Sequence, residues 1–99
     1  MGNILKTDED ELRAYIDKLE IKPFAIHKQS DLFFNVALQL EYRLYDDFNN
    51  KRSFCVNLSS KYGKIGALFR MDNEEFFVCG SSNEETLRRV NNHIKELMG

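Results

Sequence analysis

Residues 32 to 44 alternate between apolar and polar side chains, and this alternation restricts the fold more than any other part of the chain. Every even position is apolar, while most odd positions are polar or small. The apolar residues are Leu32, Phe34, Val36, Leu38, Leu40, Tyr42 and Leu44. Successive helical side chains turn by about 100° and would scatter such a set, whereas a strand keeps it on one face. The pattern therefore predicts a long strand over residues 32–45 with one buried face.

Amphipathic helices are predicted at both ends of the chain. Thr7 suits the N-cap of the first, residues 8–20, because four acidic residues then lie on its first turn. Pro23 marks the exit from this helix. Ser82 and Glu85 match a capping box for the final helix. Its predicted buried stripe consists of Leu87, Val90, Ile94 and Leu97.

Turn-forming residues divide the middle of the chain into strands. A three-residue loop at 29–31 would pair Ile26 with Phe34 and would point Phe24 and Ile26 into the core. A five-residue loop at 46–50 would pair Leu40 with Val56. Both registers follow from the requirement that the apolar faces coincide.

Two further turns complete the predicted sheet. A four-residue turn at 60–63, with Gly63 able to take positive φ, would pair Leu58 with Ile65. A two-residue turn at 72–73 would pair Phe69 with Phe76 on the inner face and Arg70 with Glu75 on the outer face.

The predicted fold is a two-layer α+β structure. It is an antiparallel β-meander of about five strands, with the N- and C-terminal helices packed on one face, in the order α-β-β-β-β-β-α. The chain has 99 residues, among them eight Phe and four Tyr. We therefore expect a single domain over residues 1–99 with a packed core. The second face of the sheet is expected to remain in water.

The predicted registers place an apolar row on this open face. Cys55 would face Leu68, and Leu68 would face Phe77. The predicted partner-binding residues are Leu68, Phe77, Cys55, Tyr45, Phe33, Arg43 and Arg70. An exposed apolar patch with a charged rim is typical of a protein interface, so we expect a protein partner or a second copy of the chain, as a possible homodimer. A shifted register, a covering loop or harmless scattered apolar residues are the alternatives.

Charge distribution suggests a second function class. Net charge is −2, but residues 43–70 carry six basic against two acidic side chains. Acidic helices flanking a sheet with basic loops would account for this, and a local anion site is the alternative. In the second case Tyr45, Phe33 and Phe77 would stack on bases. The phosphate contacts would come from Arg43, Lys51, Arg52 and Arg70.

The order of helix, antiparallel strands and terminal helix resembles that of double-stranded-RNA-binding domains. Residues 78–82, before the last helix, also show a residue pattern similar to that of the corresponding segment in those domains. The resemblance implies RNA binding, but those domains carry a lysine cluster at the start of that helix. This chain has Asn83-Glu84-Glu85 there, which would repel phosphate. The likeness is therefore one of architecture, and nucleic acid stays the second hypothesis.

Side chains capable of catalysis or metal binding do not form a recognisable motif. His27 and His93 have no metal-like spacing, and no Cys-x-x-Cys occurs. Cys55 and Cys79 are expected on the third and fifth strands, about 10 Å apart, and therefore as free thiols. We expect no catalytic, cofactor or metal site, and a non-enzymatic, regulatory binding protein.

Hydropathy gives the expected location. No apolar run approaches the ~20 residues of a membrane span, and the start of the chain lacks the apolar stretch of a secretory signal. We therefore expect a cytoplasmic protein without membrane contact. Abundant Asn, Lys, Ile and Phe hint at a bacterial or phage genome.

Overall fold

A computed structural model describes residues 8–30, 36–45, 51–61 and 63–99, without the side chains at 8, 30, 36, 45, 51, 52 and 61. The elements are α1 (Asp8–Asp17), β1 (Ala25–Ser30), β2 (Val36–Tyr45), β3 (Lys51–Lys61), β4 (Lys64–Met71), β5 (Glu74–Val78) and α2 (Asn83–Met98). Sequential strands pair antiparallel in the order β1-β2-β3-β4-β5. The predicted α-β-β-β-β-β-α meander is therefore confirmed, and the predicted residues 32–35 of the long strand lie outside the described residues.

Both helices cover the same face of the sheet, as predicted. Helix α1 packs on β2 and β3, and α2 packs on β4 and β5. The buried apolar core comprises Leu12, Tyr15, Ile16, Leu19, Leu38, Leu40, Tyr42, Phe54, Val56, Leu58, Ile65, Ala67, Phe69, Val78, Val90 and Ile94. The even positions of β2 thus point inward, because a period of two keeps them on one face.

Four aromatic rings stack across the inner face of the sheet. The ring centroids of Tyr42 and Phe54 are 5.0 Å apart, those of Phe54 and Phe69 6.5 Å, and those of Phe69 and Phe76 5.0 Å. The Tyr42 hydroxyl donates to the Ile21 carbonyl at 2.7 Å, which satisfies it within the core. We call Tyr42, Phe54, Phe69 and Phe76 the aromatic ladder; it ends at Phe76, on the free edge of β5.

Two of the predicted registers are confirmed. Leu40 pairs with Val56 across β2 and β3, and Phe69 pairs with Phe76 across β4 and β5. The β4–β5 connection is the predicted two-residue turn, in which Asp72 adopts a φ of 53°. Aspartate tolerates this left-handed conformation better than most residues do.

The predicted β1–β2 register is wrong. Ile26 pairs with Leu40 instead of Phe34, and β1 continues to Ser30. Phe24 precedes the strand and is 61% exposed, while Ile26 is 38% exposed, so the predicted burial of both is also wrong. The period of two fixes only the face of a strand, and a shift by an even number of residues preserves it.

The predicted β3–β4 register is wrong by two residues. Leu58 pairs with Ala67 instead of Ile65, and Lys61 pairs with Lys64. The paired strands therefore extend further toward the turn than predicted, and Gly63 has a φ of 76°. Because glycine takes positive φ without a Cβ clash, the chain closes a tighter turn than the predicted one.

The helix ends differ in detail from the prediction. Helix α1 ends at Asp17 instead of residue 20. The Lys22 ammonium donates hydrogen bonds to the Ile16 and Asp17 carbonyls at this end of the helix. At α2, the Ser82 hydroxyl accepts from the Glu85 N–H at 3.1 Å, which is the predicted N-cap. The Glu85 carboxylate accepts from the Ser81 hydroxyl and N–H, one residue before the Ser82 N–H that the predicted capping box would use, and these bonds lower the pKa of Glu85.

Candidate protein-binding surface

The open face of the sheet changes from polar to apolar between β1 and β5. Its central cross-strand row, in strand order, is His27, Gln39, Asn57, Leu68 and Phe77. The neighbouring row is Ala25, Glu41, Cys55, Arg70 and Glu75. Within these two rows, the large apolar side chains therefore lie on β4 and β5.

Phe77 is the most prominent apolar side chain of this face. It is 62% exposed, and its ring lies against Gly66 of the adjacent strand. A Cβ on Gly66 would come within 2.6 Å of the Phe77 ring Cζ. Leu68 is half-buried directly opposite Phe77. We call Gly66, Leu68 and Phe77 the β4–β5 corner.

The predicted row of Cys55, Leu68 and Phe77 is wrong, because of the shift between β3 and β4. Cys55 faces Arg70, whereas Asn57 faces Leu68. Cys55 is half-buried and lies in the row next to the corner, and its thiol is free, as is the exposed thiol of Cys79. The pairing of Leu68 with Phe77 is confirmed.

Arg70 supplies the charged rim of the corner. Its guanidinium Nε lies 3.1 Å from the Glu75 carboxylate, and both side chains are about half exposed. An exposed pair of this kind contributes roughly 0 to 1 kcal/mol to stability. Its main consequence is that the rim beside Leu68 and Phe77 is locally neutral.

Arg43 lies at the opposite side of the sheet. Its guanidinium carbon sits 3.6 Å from the centroid of the Phe24 ring, and its Nε lies 3.6 Å from Glu41. Such a cation–π contact contributes about 0.5 to 1 kcal/mol when exposed. The structure thus separates Arg43 from the corner. The Tyr45 side chain and all of Phe33 lie outside the described part of the chain, so both stay predictions.

Two residues that shape this face were missed by the sequence analysis. Gly66 interrupts a strand, which is a known sign of close approach by another group, here the Phe77 ring. Phe24 was assigned to the core by the mistaken β1 register, yet it is as exposed as Phe77. No pattern in the sequence distinguishes it from an inward-facing residue.

A cavity of about 310 Å³ lies between α1 and the β3–β4 turn. Its lining residues are Asp10, Glu11, Ala14, Tyr15, Lys18, Gly63, Ile65 and Asn83. Burial raises the pKa of the Tyr15 hydroxyl, which is itself buried and has no hydrogen-bond partner within the described part of the chain. Because this oxygen has almost no accessible surface, it cannot contact a ligand in the cavity without rearrangement.

Within residues 8–30, 36–45, 51–61 and 63–99, no cluster of three His, Cys, Asp or Glu side chains could hold a metal ion. In the same part of the chain, neither helix is long and apolar enough to cross a membrane. The chain matches no protein-family model, no curated protein and no solved structure. Any functional proposal therefore depends on the geometry of the chain itself.

Proposed function

We propose that the protein is a non-catalytic, regulatory binding protein that contacts a protein partner through the open sheet face, centred on the β4–β5 corner. The observation that carries this proposal is the Phe77 ring, which is 62% exposed while packed against Gly66. Its neighbours hold it in place on one side and leave its other side available. Aromatic anchors beside a polar rim are characteristic of the energetically important centre of an interface.

The size of the corner sets the expected strength of binding. Burying a whole Phe side chain contributes about 1.5 to 3 kcal/mol, so the exposed part of Phe77 provides roughly 1 to 2 kcal/mol. That amount alone is too small for stable association. The partner must therefore also contact the polar row on β2 and β3, where Gln39 and Asn57 lie.

Replacing both Leu68 and Phe77 by Ser is expected to reduce partner binding at least about tenfold, because the apolar centre of the interface is lost. Partner capture from the source cell, followed by titration of the captured protein, measures the loss. Phe24→Ser is the matched control, since Phe24 is 61% exposed at the opposite edge. An equal loss of partner affinity in Phe24→Ser would contradict the assignment of the binding site to the β4–β5 corner.

Gly66→Ala is expected to weaken binding while the sequence otherwise keeps every apolar side chain of the corner. The new Cβ would lie 2.6 Å from the Phe77 ring, so the ring must swing away. Since that ring is the far end of a flexible, exposed side chain, we expect a change of less than about 1 kcal/mol in the free energy of unfolding. Chemical denaturation and the same titration report both quantities, and unchanged binding would show that the position of the ring is irrelevant.

Salt dependence distinguishes this proposal from nucleic-acid binding. Affinity through apolar contacts should barely respond to salt, whereas phosphate contacts would make log affinity fall linearly with log salt. Of the four predicted phosphate contacts, Arg70 and Arg43 already lie near Glu75 and Glu41. The side chains of Lys51 and Arg52 lie outside the described residues, and no described contact favours the nucleic-acid alternative.

A further inference from the structure

Among the described residues β5 is the last strand of the sheet, and its free edge carries backbone groups without a strand partner at defined positions. Met71 and Glu74 close a two-residue turn, so they form a hydrogen-bonded pair, and hydrogen-bonded pairs alternate along an antiparallel ladder. Glu74, Phe76 and Val78 therefore direct their backbone groups toward β4. The N–H and C=O groups of Glu75 and Phe77 point away from the sheet.

The free edge ends just after Phe77. The next outward carbonyl, that of Cys79, accepts a hydrogen bond from the Arg89 guanidinium at 2.8 Å. The chain then turns toward α2. Two residues, Glu75 and Phe77, thus present the donors and acceptors to which another strand could pair.

The two edges of the sheet differ in how they are protected. On β1, Lys28 forms an ion pair with Glu9 of α1 at 3.2 Å, and a charged lysine on an edge strand discourages pairing with another chain. On β5, the side chains at the centre of the edge are Phe76, 40% exposed, and Phe77, 62% exposed. Glu74 and Glu75 charge one end of β5, but the apolar centre of this edge favours the addition of a strand.

The aromatic ladder shows which strand would fit. Phe76 stacks on Phe69 at 5.0 Å with planes 2° apart, and His93 packs against both rings from the helix layer. The ring spacing of 5.0 Å is close to the ~4.8 Å separation of paired strands. A phenylalanine directly across the edge would therefore continue the ladder by one step.

We propose that the protein forms a homodimer in which β5 pairs antiparallel with β5 of a second copy, with Phe76 opposite Phe76 of that copy. The two five-stranded sheets would then form one continuous sheet. Glu75 and Phe77 of each copy would exchange roughly four backbone hydrogen bonds across the β5–β5 interface. The symmetry is isologous, because the same residues serve both sides.

Charges are compatible with this register. Glu74 lies opposite Val78 of the other copy and Glu75 opposite Phe77, so no carboxylates face each other directly. The antiparallel arrangement also places Glu74 and Glu75 of one copy and those of the other copy at opposite ends of the β5–β5 interface. Glu75 keeps its contact with Arg70 at 3.1 Å.

The expected dimer is weak. Phe76 and Phe77 together expose on the order of 200 Å², given that an aromatic side chain buries about 150 to 250 Å². A stable interface buries about 800 Å² on each partner. An interface this small is typical of weak, transient association, so the dimer is expected only at micromolar or higher concentrations. It extends beyond the proposed function, because its central residue lies on the helix face and the proposed partner site lies on the open face.

Sedimentation and light scattering over a micromolar concentration range provide the first test. The wild-type mass should rise from 11.6 kDa toward twice that value. Glu75→Pro should abolish the rise, because it removes an outward N–H without removing a β4–β5 hydrogen bond. Glu75→Ala, which retains the N–H, should still dimerise. A wild type that stays monomeric, or equal association of both variants, would overturn the proposal.

Cysteine trapping tests the register independently of stability. In a Cys55→Ser, Cys79→Ser background, Phe76→Cys should form a disulfide-linked dimer in a glutathione redox buffer. Facing residues at a non-hydrogen-bonded pair have Cα atoms about 4.5 Å apart, within disulfide range. Phe77→Cys is more exposed, but its Cα would lie roughly 8 Å from its counterpart, beyond that range. Faster cross-linking at Phe77 would overturn the proposed register.

These experiments separate the dimer from the partner site. Loss of dimerisation in Glu75→Pro, with partner binding equal to that of Glu75→Ala, would confirm two independent surfaces, because both variants lack the Glu75 carboxylate beside Arg70. Partner binding lost only in the Leu68 and Phe77 variant, together with a monomeric wild type, would leave the proposed function standing and remove the dimer.

Discussion

Phe69→Ala is expected to lower the free energy of unfolding by about 3 to 5 kcal/mol. Phe69 is 1% exposed and occupies the middle of the aromatic ladder, with Phe54 on one side and Phe76 on the other. His93 of α2 also packs on it, at 5.6 Å between ring centroids. Removing the ring leaves a cavity between the sheet and α2. Because small domains have only about 5 to 15 kcal/mol of stability, much of it would be lost.

Phe77→Ala is the matched control, since the two phenylalanines lie on adjacent strands but on opposite faces of the sheet. The expected loss there is less than about 1 kcal/mol. Urea denaturation at low protein concentration measures both values and avoids any stabilisation by self-association. Similar losses in the two variants would mean that Phe77 belongs to a covered core, and the proposed binding surface would then be wrong.

The sequence predicted the faces of the strands better than their partners. Both mistaken registers are even shifts: Ile26 meets Leu40 instead of Phe34, and Leu58 meets Ala67 instead of Ile65. Apolar alternation gives a large free-energy preference for one face but none for a particular partner on that face. Partner choice depends on turn geometry. At Gly63 the sequence predicted a four-residue turn, whereas the strands pair as far as Lys61 and Lys64.

The candidate site was affected more than the fold by these shifts. The core requires only that apolar residues face inward, so most of it was predicted; Phe24 and Ile26 were wrongly included. The open-face row depended on the partner of each residue, and a shift of two moved Arg70 into the place assigned to Leu68 beside Cys55. The part that survived, Leu68 opposite Phe77, follows from the Asp72-Asn73 turn, whose length the sequence predicted correctly.

Free backbone groups and ring stacking could not be predicted from the pattern at all. The exposed end of the ladder at Phe76 depends on which strand is last in the sheet and on how far α2 extends over it. The position of α2 over the sheet is set largely by the short connection between β5 and α2. The outward carbonyl of Cys79 and the N-cap of α2 both lie in this connection.

Thr86→Val is expected to destabilise this connection by about 1 to 3 kcal/mol. Thr86 is 1% exposed, and its hydroxyl accepts from the Gly80 N–H at 2.8 Å while it donates to the Ser82 carbonyl at 3.0 Å. Valine preserves the shape of the side chain but leaves the Gly80 N–H without this partner. Denaturation measures the loss in the free energy of global unfolding, and hydrogen exchange at the Gly80 amide measures the loss of local protection.

Thr86→Ser separates the hydrogen bonds from packing, because it keeps the hydroxyl and removes only a buried methyl group. That methyl contributes about 1 kcal/mol, so the serine variant should be the more stable of the two. Protection of the Gly80 amide should persist in the serine variant and be lost in the valine variant. If valine retained full protection, the hydroxyl would not be what anchors α2 to β5, and the position of His93 over Phe76 would need another cause.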